Sequence, residues 1–119
     1  MAATETNIIP LGFKAPNFSL PDTVSGENLS LDDIKGQKAT VMMFICNHCP
    51  YVIHINPEIN KLVEEFTPKG INFIGISSND VENYPQDSPE LMKIHAKESG
   101  YQFPYLYDES QDIAKAYMA

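Results

Sequence analysis

Ala39-Thr40-Val41-Met42-Met43-Phe44-Ile45-Cys46-Asn47-His48-Cys49-Pro50-Tyr51-Val52 is the stretch on which the fold turns. It begins as a nearly unbroken apolar run, which reads as a central strand buried on both faces. After Pro50 comes a helix on which Val52, Ile55, Ile59, Leu62 and Phe66 recur at helical spacing, on one face. Thr67-Pro68-Lys69-Gly70 ends that helix, and Ile71 to Ile76 forms a second apolar run. Strand, helix, strand closes into a parallel pair through a right-handed crossover, which sets the helix N-terminus at the carboxyl end of the first strand. Cys46 and Cys49 fall at that junction. Pro57, inside the helix, deletes a backbone hydrogen bond and predicts a kink near Ile53 to Asn56.

Upstream, Met1 to Phe13 reads as a polar arm. Phe18 and Leu20 alternate with Ser19, turn residues follow at Pro21-Asp22 and Ser25-Gly26, and Leu29 returns, a pattern that predicts a short hairpin. Ser30-Leu31-Asp32-Asp33 predicts a capping box on a one-turn helix stopped by Gly36. Downstream, Ser88-Pro89-Glu90 starts a helix that runs to Gly100. Phe103 to Tyr107 reads as a short aromatic strand, and Asp108-Glu109-Ser110-Gln111 caps a last helix, Ile113 to Met118.

The 119 residues fit a single α/β domain, and 43% hydrophobic residues are enough to build a core. A formal charge of −8 argues against nucleic acid or an anionic membrane surface as partner. The first ten residues lack the cationic and apolar regions of a secretory signal, and no stretch approaches the roughly 20 apolar residues of a membrane span. A cytoplasmic location is the resulting expectation. Two cysteines three residues apart indicate redox chemistry or metal rather than a disulfide scaffold.

A cysteine is nucleophilic as thiolate, and a helix start stabilises that anion through free backbone N–H groups and the helix dipole. Cys46 is therefore the expected attacking thiol and Cys49 the resolving one, with Asn47, His48 and Pro50 as tuning residues. A protonated His48 would stabilise the thiolate and make the pair a stronger oxidant. The competing readings are a metal half-site completed by His48, His54 or His95, and two incidental core cysteines. His54 and His95 are given no role, Met42-Met43 reads as core packing, and Asp108, Glu109 and Asp112 read as helix-capping carboxylates. Ser77-Ser78-Asn79-Asp80 follows the second strand and is an ordinary polar loop or an edge of the site.

Phe44-Ile45-Cys46-Asn47-His48-Cys49-Pro50-Tyr51-Val52, Gly75-Ile76-Ser77-Ser78-Asn79-Asp80 and Phe103-Pro104-Tyr105-Leu106-Tyr107-Asp108 together resemble thioredoxin-family proteins of the alkyl-hydroperoxide-reductase and thiol-specific-antioxidant type. The similarity spans about residues 10 to 119. It implies a thioredoxin-like fold, a central mixed sheet with flanking helices, and Cys46 with Cys49 as the redox pair. Two departures stand out. Thr40 occupies the place of the buried acid that thioredoxins keep before the first cysteine. The family also continues into a strand pair, opened by a cis-proline, and a final helix; Pro104 does not match that proline. The expected function is thiol–disulfide exchange with protein or small-molecule thiols, with a thioredoxin or glutathione system as partner, and with no cofactor and no metal. A peroxidase is less expected, because Ala39 and Met43 precede Cys46 where the peroxidatic pattern wants proline and threonine or serine. A non-catalytic binding module is the reading from another class. An open sheet edge at the C-terminal side predicts a homodimer or marginal stability.

Overall fold

The structure, a computed structural model, describes residues 9–47, 50–79 and 81–118. The hairpin forms where the turn residues predict it. Strands β1 (Ser19–Pro21) and β2 (Asn28–Ser30) pair antiparallel. Ser30 then caps α1 (Leu31–Ile34) in a full capping box, its hydroxyl accepting from Asp33 N–H while the Asp33 carboxylate accepts from Ser30 N–H. Gly36 has no room for a side chain, since a Cβ there would sit 2.1 Å from the Ala39 carbonyl oxygen.

Strand β3 (Ala39–Phe44), helix α2 (Pro50–Phe66) and strand β4 (Ile71–Ser77) form the predicted crossover, with β3 and β4 parallel. Helix α3 (Pro89–Ser99) is capped by the Ser88 hydroxyl and closed by Gly100 in the left-handed region, and β5 (Tyr105–Tyr107) then pairs parallel with β4. A short α4 (Asp112–Ala116) follows. The sheet order is β3-β4-β5, and an antiparallel bridge from Asp22 to Leu106 ties the β1–β2 ribbon to it. No helix among the described residues is long and apolar enough to cross a membrane.

The central strand is β4, not β3. Among the described residues β3 pairs with β4 alone, and Val41 is 39% exposed. The apolar run misleads because it reflects cover above and below the sheet, not pairing at its edges. Met42 and Phe44 point to one layer, while Met43 and Ile45 point to the other. The methionine pair is core packing on opposite faces.

Helix α2 runs unbroken through Pro57, and its buried stripe is Val52, Asn56, Ile59 and Val63. Ile55 and Leu62, expected on that face, are exposed. The face is rotated by one residue because Asn56 has a polar partner inside, where it accepts a 2.9 Å hydrogen bond from the Tyr101 hydroxyl. The aromatic strand is also shorter than expected. It begins at Tyr105, although the Pro104 carbonyl already accepts from Gly75 N–H. The last helix is capped by Asp108, which is buried, accepting from Ala114 N–H, while Gln111 takes a left-handed conformation at its start.

Candidate active site

The site is built at the carboxyl edge of the parallel sheet, where loops after β3, β4 and β5 meet. The β3 ladder extends one residue past the strand, as Ile45 N–H donates to the Ile76 carbonyl. Cys46 follows immediately and is 2% exposed, packed against Ile45 and Val52. Pro50 is the first residue of α2 and lies at the surface. A proline suits that position, because its missing N–H is one the helix could not bond in any case. His48 and Cys49 lie outside the described residues, as does Asp80.

Asn47, the residue after Cys46, is held from three directions. Its backbone N–H donates to Asp87 Oδ1 at 2.8 Å and its amide Nδ2 donates to the Gln86 carbonyl at 2.8 Å. Its Oδ1 accepts from the Tyr105 hydroxyl at 2.9 Å. Asp87 belongs to a single 3₁₀ turn, Pro85–Asp87, leading into α3, and it is fully buried. Its other oxygen, Oδ2, accepts from Asn79 Nδ2 at 2.9 Å. The loop after β4 is therefore part of the site edge, reached through Asn79.

Tyr105 is the rigid member of this arrangement. Its backbone N–H donates to Asp22 Oδ1, and its carbonyl accepts from both the backbone N–H and the hydroxyl of Thr23. The ribbon turn thus fixes β5 from behind while the side chain reaches across the layer to Asn47. Burial raises the Tyr105 phenol far above its ordinary value, with the neighbouring Tyr101, Cys46 and Asp87 adding to the rise. It is a permanent hydrogen-bond donor. Tyr101 stacks on Phe103 at 4.5 Å between ring centroids and meets Tyr105 edge-on at 5.5 Å. Burial raises its phenol too. His95 Nε2 lies 3.3 Å from the Tyr101 hydroxyl, and burial lowers the imidazole below its ordinary value.

Gly75 leaves room for these rings. A Cβ there would sit 3.0 Å from Phe103 and 3.2 Å from Tyr105. Thr40, in the place of the thioredoxin acid, does local work, its hydroxyl oxygen accepting from Gly36 N–H. A buried acid nevertheless stands at the site, on a different segment.

Cys46, Asn47 and Pro50 are thus placed along one junction. Of the backbone N–H groups expected around the sulfur, that of Asn47 is committed to Asp87, and those of His48 and Cys49 lie outside the described residues. Asp87, Tyr105 and Asn56 were not legible as site residues. Pro85-Gln86-Asp87-Ser88-Pro89 reads locally as a helix start, and the tyrosines as strand and core. Only the tertiary pairing of Asp87 with Asn47, 40 positions apart, reveals the link.

Among solved structures, an uncharacterized conserved protein from Geobacillus kaustophilus superimposes with a TM-score of 0.96 at 54% identity, over 100% of this chain and 63% of that one. This chain therefore spans less than two thirds of that protein's length. "Putative peroxiredoxin Rv2521" of Mycobacterium tuberculosis is 30% identical over 98% of this chain and 68% of its own length. The "Thiol-disulfide oxidoreductase ResA" of Halalkalibacterium halodurans is 28% identical over 89% of this chain and 55% of its own. The fold is thioredoxin-like, as in a solved putative thioredoxin and in the solved thioredoxin domain of a thiol-disulfide oxidoreductase. The AhpC/TSA family pattern matches residues 11–119, and on that match, with the junction geometry that carries Cys46, the chain belongs to the AhpC/TSA family of redox proteins.

Proposed function

We propose that this chain exchanges disulfides through Cys46 and Cys49. The observation that carries the reading is the position of Cys46, between the last ladder bond of β3 and the first turn of α2, where the helix dipole favours a thiolate. The Cys46 thiolate attacks one sulfur of a substrate disulfide and forms a mixed disulfide, and the other substrate sulfur leaves as thiolate. Cys49, deprotonated, then attacks the Cys46 sulfur and releases the second substrate thiolate. The substrate gains two electrons, and the Cys46–Cys49 pair loses them. Asn47 holds the loop, while His48 and Pro50 tune it.

Protein or small-molecule thiols are the proposed substrates, with a thioredoxin or glutathione system in the cytoplasm returning the electrons. Because Cys46 is 2% exposed, a bulky substrate reaches it only when the motif loop opens. Small alkylating agents should therefore react faster with it than large aromatic disulfides do. The deciding experiment is mass spectrometry of protein oxidised with glutathione disulfide and then alkylated. An internal disulfide, with no alkylatable thiol left, is the expected result; two alkylated cysteines would overturn the reading. A peroxidase is the second reading, favoured by the peroxiredoxin name of the 30% identical relative. Stoichiometric consumption of hydrogen peroxide by reduced protein would establish it.

A further inference from the structure

We propose that Asp87 is a positioning residue that restrains the dithiol, keeping it less oxidising than the junction alone would make it. The inference rests on the dithiol reading above. Four observations converge on it. Asp87 is fully buried, where a carboxylate persists only when it is well hydrogen-bonded. Its Oδ1 takes the N–H that directly follows Cys46, and its Oδ2 is held by Asn79, so the carboxylate is fixed from two sides. Asn47 is further pinned by Gln86, the neighbour of Asp87, so the same 3₁₀ turn grips the motif twice. Finally, burial raises the Tyr105 phenol and Cys46 and Asp87 both add to that rise, so both lie within electrostatic reach of one buried group.

The physical consequence has a definite sign. A backbone N–H bound to a carboxylate is not available to a thiolate, and a negative charge held on the residue that follows a buried cysteine opposes ionisation of its sulfur. The reduced form of a dithiol with a thiolate member is thereby destabilised relative to the disulfide. Asp87 thus works against the helix dipole, and the balance sets the poise of the couple. Among the described residues, His95 on α3 and Tyr105 on β5 feel Asp87. Tyr105 stays protonated through the neutral range, and His95 is neutral above pH 7, so measurements belong there.

The test is Asp87→Asn, which keeps an oxygen to accept from Asn47 N–H and removes the charge; rotation of the Asn79 amide restores the other bond. The thiolate absorbance of Cys46 against pH is read in a Cys49→Ser background, and the glutathione equilibrium is read with both cysteines present. The expected result is a Cys46 pKa lower by about one unit and an equilibrium shifted about tenfold toward the dithiol, which is about 30 mV for a two-electron couple. An unchanged pKa in a folded variant overturns the inference even if the disulfide forms. A lowered pKa without any disulfide upholds the coupling and overturns the dithiol reading instead. If Asp87→Asn does not fold, Asp87→Ser, which removes the same charge with a smaller side chain, is read in the same way. An unchanged Cys46 pKa in that variant sinks the idea.

Discussion

The two faces of the sheet are built from different materials. On the ribbon side, Phe18, Leu20, Ile74, Ile76 and Leu106 form an apolar cluster, flanked by Phe44 and Tyr117. On the α2 and α3 side, Ile59, Val63, Phe73 and Phe103 share the layer with Asn47, Asn56, Asp87, Tyr101 and Tyr105, joined by hydrogen bonds. β4 supplies both, sending Ile74 and Ile76 one way and Phe73 and Gly75 the other. The ribbon side is held by burial, which is non-directional, with directional bonds from Asp22 and Thr23 to β5 at its edge. The helix side is held in part by directional bonds, which fix positions as well as energies. Such a division suits a redox site, since the loop carrying Cys46 needs a defined geometry that apolar packing alone does not impose.

The sharpest way to break this contrast is Ile74→Ala. Ile74 is fully buried in the apolar cluster, so truncation removes transfer energy and leaves a cavity, at a cost of about 2–5 kcal/mol. Denaturant melts should show that loss. The alkylation rate of Cys46 in the still-folded protein should stay unchanged, because among the described residues Cys46 packs with Val52 and Ile45 and not with that cluster. A large change in Cys46 reactivity would show that the two faces are coupled.

Tyr105→Phe probes the other face with a smaller effect. The ring stays and the hydroxyl goes, leaving Asn47 Oδ1 without its buried donor, at a cost of about 1–3 kcal/mol. The stability loss should come with a changed Cys46 alkylation rate, since one of the three holds on Asn47 is gone. Stability lost with reactivity unchanged would mean that Asp87 and Gln86 suffice to fix the loop.

The contrast also explains what was legible. The hairpin, the capping box, the crossover and the α3 caps were readable because each depends on neighbours a few residues apart or on simple periodicity. Hydrophobicity alone ranks Ile55 and Leu62 above Asn56 for the stripe on α2, whereas a tyrosine from the segment between α3 and β5, 45 positions away, decides the matter. Cys46, Asn47 and Pro50 were found as one short motif. Asp87 is not legible because its local sequence is a helix start and its bond to Asn47 exists only in three dimensions. Long-range polar pairing leaves no mark on periodicity, so the helix side was the harder half to read.

The smallest effect concerns His95, at the outer end of the polar network. Burial holds its imidazole below the ordinary value, and Glu98 and Asp87 only partly counter this. The unfolded chain therefore binds the proton more readily than the folded one as pH falls through the ordinary histidine value of about 6.5, and folding stability should drop across that range. His95 is only half-buried, so solvent screening keeps the loss below about 0.5 kcal/mol, or about 2 °C in Tm for a domain of this size. Comparing Tm at pH 7.5 and 5.5 for the wild type and for His95→Gln isolates the contribution, because His48 and His54 are common to both chains. The variant should lose about 2 °C less than the wild type on acidification. An equal loss would mean that the network tolerates a charged imidazole beside Tyr101, and that the polar order of the helix side stops short of α3.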